Sequence, residues 1–169
     1  MNAFSNAFSR PGFVIALSLL PLAAKADMPS SIAAPDEVVV ATVHAEGAQV
    51  YECRTDATGT FAWQFREPIA TLMLDGKTVG RHFAGPVWEL SDGSAVSAKV
   101  SGRAPGMTAK DIPLLKLAAI ARDEGQLAAV STIQRLNTRG GALEGACEQP
   151  GLLASVPYSA DYVFLQKKP

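Results

Sequence analysis

The chain has 169 residues, and 15 Lys+Arg against 16 Asp+Glu leave a net charge of −1. That length suits one domain with a real hydrophobic core. The balanced charge offers no basic stripe for nucleic acid, so that class of partner is excluded.

Met1 to Ala26 read as an export signal. Arg10 supplies the positive n-region, and Phe13 to Ala24 form an apolar run too short to span a bilayer. Ala24-Lys25-Ala26 gives the small-x-small pattern of a cleavage site, so Asp27 is the expected new N-terminus. Without Arg10 and Lys25, 13 basic residues face 16 acidic ones, and the 143-residue remainder carries a net charge of −3. No second apolar segment reaches spanning length. The expected location is periplasmic or secreted. Cys53 and Cys147 then meet an oxidising compartment, where an even count predicts a disulfide; two separate thiols are the alternative.

Residues 27 to 36 read as a flexible leader, and 37 to 166 as a single β domain. Val38 to Val43 form a β-branched run that Gly47 is expected to break, and Gln49 to Arg54 follow as a separate strand. Phe61, Trp63 and Phe65 share one face of the next strand, at the period of two that marks a core stripe. Pro68 is expected to end it. Asp75-Gly76 predicts a hairpin between Leu72–Leu74 and Lys77–Phe83, since both central residues of such a turn need positive φ. A second hairpin, centred on Asp92-Gly93, joins Val87–Leu90 to Ala95–Val100. Ser101 to Gly106 reads as a loop. Ile112 to Glu124 has helical composition without an apolar stripe, so strand and helix both stay open. Val130 to Asn137 and Tyr158 to Leu165 read as strands, and Tyr158, Ala160, Tyr162 and Phe164 share a face. Eight or nine extended runs predict an antiparallel β-sandwich or small barrel.

Several segments together carry a resemblance. They are Gly47 to Cys53, Trp63-Gln64-Phe65 with Pro68 to Leu72, Gly80 to Glu89 with Asp92-Gly93-Ser94, Asp111 to Leu115, Ile133 to Gly141, Cys147, and Val156 to Tyr162. In order and spacing this pattern resembles the domain of unknown function 3455 family of exported bacterial and fungal proteins. The resemblance implies one domain and a cysteine pair, and supplies neither an activity nor a catalytic residue. Some relatives carry dehydrogenase-like names, but the chain has neither a G-x-G-x-x-G after a strand nor a βαβ rhythm.

Motifs that carry chemistry are sparse. His44-Ala45-Glu46 mimics one half of a zinc deaminase signature whose Pro-Cys-x-x-Cys half is missing. No spacing argues for a metal, and neither metal nor cofactor is expected. G-x-S-x-G and Ser-x-x-Lys are absent. The candidate ligand site is His82, Trp88 and Glu89, joined by Arg135 and Tyr162. In the plainer reading of the same residues, Trp88 is core and His82 bonds a nearby carbonyl or acid. Arg135 either pairs with Asp161 or lines a pocket with Tyr158 and Tyr162. The favoured function is a non-catalytic domain that binds a small ligand or an envelope partner. The alternative is a small barrel enzyme, a hydrolase or isomerase, with His82 and Glu89 as its acid–base pair.

Overall fold

The structure is a computed structural model and describes residues 28–121 and 124–169. The expected export signal lies outside those residues. Eight strands follow one another around a closed antiparallel barrel: β1 (Glu37–Thr55), β2 (Phe61–Leu74), β3 (Lys77–Phe83), β4 (Val87–Leu90), β5 (Ala95–Ala104), β6 (Leu114–Ala121), β7 (Thr132–Gly140) and β8 (Leu153–Lys167). Each strand pairs with its sequence neighbours, and β8 closes onto β1 from Glu37↔Lys167 to Glu52↔Leu153. Of the two expected architectures, the barrel is the one formed. Closure removes the exposed sheet edges that would otherwise template aggregation.

Both hairpins form where the turn residues place them. Asp75 (φ 50°) and Gly76 (φ 73°) both take positive φ between β2 and β3, the conformation that Asp-Gly tolerates and most pairs do not. At the second turn, Asp92 Oδ1 accepts from the Ser94 amide and hydroxyl at 2.9 and 2.6 Å.

Three expected breaks are not breaks. Gly47 sits mid-strand in β1, where a Cβ would collide with the Ile69 carbonyl oxygen and reach within 2.6 Å of the Ala70 Cα. Its role is to let β2 approach closely, not to end β1. Pro68 lies within β2 opposite Gln49. The pairing skips Arg66, because Tyr51 meets Phe65 while Val50 meets Glu67. That bulge two residues before Pro68 interrupts the ladder where proline has no N–H to give. Likewise β5 runs through Ser101 to Ala104, with Ser101 skipped between Val100↔Leu117 and Gly102↔Lys116. The open segment resolves to strand β6 over Leu114–Ala121. It pairs with β5 and β7, and sheet closure overrides its helical composition.

The described part of the expected flexible leader is docked. Ser30–Ile32 form a single turn of 3₁₀ helix, and Ile32 is fully buried. Gln134 Nε2 donates to the Ile32 carbonyl at 2.6 Å, Lys116 Nζ to that of Ala33 at 2.9 Å, and Ser31 Oγ to that of Arg103 at 2.8 Å.

The interior is packed unevenly along the barrel axis. One end is filled by Leu72, Leu90, Val96, Ile133 and Phe164, and is stoppered by Leu127 and Val130 of the β6–β7 connection. Asp92 Oδ2 accepts from the Gln126 amide at 3.1 Å and so ties that connection to the β4–β5 turn. Each of these large side chains contributes about 2 kcal/mol of burial. The other end, ringed by the β1–β2, β3–β4, β5–β6 and β7–β8 connections, is not filled.

Candidate functional site

Period-two alternation and register together decide which side chains reach the interior. One row across the sheet reads Gly47↔Ala70, Ala70↔His82, His82↔Trp88 and Trp88↔Val96. Gly47 and Ala70 are small, and the two aromatic rings beyond them take the space they leave. Another row reads Arg103↔Leu115, Leu115↔Arg135, Arg135↔Tyr162 and Tyr162↔Val43.

The two rows bring four of the five expected site residues together. His82, Trp88, Arg135 and Tyr162 line a cavity of about 500 Å³ in the unfilled end of the barrel, a volume suited to one small molecule. The His82 and Trp88 rings stack at 4.2 Å, 11° from parallel. Tyr162 meets both edge-on, at 5.0 Å from His82 and 5.2 Å from Trp88. All three are at least 97% buried.

Glu89 is not in this group. It alternates with Trp88 and so faces the outside of β4, where Arg81 on β3 binds it at 2.9 Å. An acid–base pair of His82 and Glu89 is therefore not formed, and the enzyme reading that relied on it loses its acid. The alternative pairing of Arg135 with Asp161 also fails. Asp161 lies on the outer face, held by His44 Nδ1 and Asn137 Nδ2, each at 2.7 Å. Arg135 faces inward. Its Nε and Nη2 donate to the Pro113 carbonyl at 3.0 and 2.9 Å, which fixes the guanidinium plane and leaves further donors free.

The residue types fix the polarity of the cavity. His82 Nδ1 lies 2.9 Å from the Val87 carbonyl; a carbonyl only accepts, so Nδ1 carries the proton. Burial lowers the His82 pKa to about 3, opposed by that hydrogen bond and reinforced by the Arg135 charge, so the ring is neutral. Burial raises the pKa of Tyr162 and of Tyr158, so both phenols keep their protons. Their hydroxyls lie 3.4 Å apart.

Further residues that the sequence reading did not assign to the site complete the lining. Gln49, Tyr51, Phe65, Arg66 and Arg103 also face the cavity. Alternation places Phe65 in the core with Phe61 and Trp63. The face is right, since Tyr51 packs edge-on against Phe65 at 5.9 Å, but its place along the axis is the open end. Phe65 is therefore 53% exposed, and Phe61 also lies in solvent. The signal available in the sequence was the pairing of an inward Tyr51 with an inward aromatic across β1 and β2. The bulge at Arg66, which sets that pairing, has no local signature.

The rim is stapled. The expected Cys53–Cys147 disulfide is present, with Cα atoms 5.8 Å apart. It fastens the β7–β8 connection across the start of β2, where Cys147 N donates to Phe61 O and Trp63 N to Gly145 O, both at 3.1 Å. Tyr51 Oη donates to Gly141 O at 2.7 Å. Asp111 adds a third tie, accepting from the Gly140 amide at 2.6 Å.

Among the described residues no group of three or more His, Cys, Asp or Glu side chains is placed to hold a metal ion. No helix of the described residues is long and apolar enough to cross a membrane.

The chain belongs to the family described as protein of unknown function (DUF3455), whose model matches residues 33–166. No curated protein and no solved structure matches it.

Proposed function

We propose that this family member is an exported binding protein that takes one small molecule into the open end of its barrel without transforming it. The observation that carries the reading is the lined cavity of about 500 Å³ at one end of an otherwise packed barrel. Eight-stranded barrels are wide enough for one ligand once the side chains at one end are withheld. Stacked aromatic walls supply apolar contact, and a few fixed polar groups supply orientation. The chemistry gathered there supports binding over catalysis. His82 is a neutral, carbonyl-bound imidazole without a carboxylate partner, and the acid assigned to it lies across the sheet.

Export is part of the same reading. The charged n-region, the apolar run and the Ala24-Lys25-Ala26 site support it, and the disulfide fits an oxidising compartment. N-terminal sequencing of protein recovered outside the cytoplasm is expected to begin at Asp27. A chain beginning at Met1 there would contradict cleavage.

The binding claim is tested by blocking the mouth. Val100 lines the cavity and is 43% exposed, so Val100→Trp places an indole across the opening without disturbing the packed end. Ligand-observed NMR against a library of aromatic fragments is expected to find binders to the wild type that Val100→Trp releases. Fragments held equally by both proteins would place binding elsewhere.

A further inference from the structure

The polar groups that face the cavity are unequally distributed in kind. Three arginines, Arg66, Arg103 and Arg135, line it, and no Asp or Glu does. Arg66 is answered by Glu67 at 3.1 Å. Arg103 and Arg135 have no carboxylate within 4 Å among the described residues, and the partners of Arg135 are neutral, the Pro113 carbonyl and the Tyr162 hydroxyl. One further donor of the lining is buried without an acceptor, Nε1 of Trp88, a residue 99% buried.

Buried donors without partners are rare in folded proteins, because each forfeits its hydrogen bonds to water. A lining that combines such a donor with guanidinium groups that no carboxylate answers favours a ligand that accepts hydrogen bonds and carries negative charge. The fixed plane of Arg135 suits a planar, two-oxygen acceptor, which it meets with paired hydrogen bonds. The stacked His82 and Trp88 rings, with Tyr162 edge-on, suit a flat apolar body rather than a hydrated inorganic ion.

We propose that the ligand is an aromatic or similarly flat organic acid, its carboxylate on Arg135 and its body against the Trp88 and Tyr162 walls. This rests on the binding reading above and names the ligand class. Arg103, nearer the rim, contributes attraction on entry.

The test uses the disulfide-intact protein and three probes by isothermal titration: 2-naphthoate, its neutral isostere 2-naphthamide, and acetate. The wild type is expected to hold 2-naphthoate at least about tenfold more tightly than either, as charge-assisted bonds exceed neutral ones. Arg135→Gln, checked for folding by its melting curve, is expected to abolish the preference for naphthoate over naphthamide. Arg103→Gln is expected to reduce it by about two- to threefold, as rim charges contribute less. If Arg135→Gln does not fold, the wild-type preference and its decline with added salt decide the matter alone. Equal binding of naphthoate and naphthamide would overturn the anion assignment and leave the binding reading standing. Acetate binding as tightly as naphthoate would overturn the aromatic body. A preference that survives Arg135→Gln would remove Arg135 from the site. Failure of all three probes would overturn the aromatic-acid assignment and leave the binding reading to the fragment screen with Val100→Trp.

Discussion

His82 shows how one side chain links packing to pH. Its ring is stacked on Trp88, bonded to a carbonyl and neutral, with a pKa lowered from 6.5 to about 3 chiefly by burial. Below pH 6.5 the unfolded chain binds a proton at this position that the folded chain refuses. Stability is therefore complete above that pH and is lost as pH falls toward 3. At about 1.4 kcal/mol per unit of pKa difference, roughly 2 kcal/mol goes between pH 7 and pH 5. Urea unfolding at the two pH values is expected to show that loss in the wild type and to lose it in His82→Phe, which keeps a ring but cannot titrate. An unchanged slope in His82→Phe would mean that another group carries it. Trp88 carries a different burden. Trp88→Ala removes the ring that floors the cavity, and is expected to cost about 3–5 kcal/mol in the same measurement, as for other large-to-small core changes.

At the scale of strands, close approach between neighbours governs what the residues alone do not reveal. Gly47→Ala places a Cβ against the Ile69 carbonyl and is expected to destabilise by about 1–3 kcal/mol, typical of overpacking. A change within about 0.5 kcal/mol, the range of ordinary surface substitutions, would mean that β2 yields there. The same contrast explains which elements the sequence discloses. Asp75-Gly76 and Asp92-Gly93 are legible because their turns are local chemistry. The inward face of β8, from Tyr158 to Phe164, is legible because alternation is local too. Gly47 and Pro68 mislead, because each is tolerated mid-strand only through its partner strand or a nearby bulge. β6 is ambiguous for a related reason. Leu115 and Leu117 face inward, but Ile120 stands half exposed on the outside, so its apolar residues show no single stripe. Of the candidate site, His82, Trp88, Arg135 and Tyr162 could be named as residue types, whereas their convergence depends on register around the whole barrel. Glu89 is adjacent to Trp88 in sequence, yet alternation alone sends it to the opposite face.

For the whole molecule, the barrel combines a packed end with an open end whose rim is held by long-range ties. The disulfide joins residues 94 apart in sequence, and in the chain-entropy model such a closure stabilises by roughly 4–5 kcal/mol. Cys53→Ser is expected to lower the melting temperature under oxidising conditions, and an unchanged value would contradict a stabilising role. The staple has a functional consequence as well, because the connection it fastens also receives the Tyr51 hydroxyl at Gly141 and thus shapes the cavity mouth. The proposal that this mouth holds a small molecule meets its sharpest test in a native mass spectrum of the protein, purified without reductant from its own host. The expected result is a mass above that of the oxidised polypeptide, lost on denaturation and absent in Val100→Trp. A bare mass for the wild type, unchanged when an extract of the host's small molecules is added back, would contradict it.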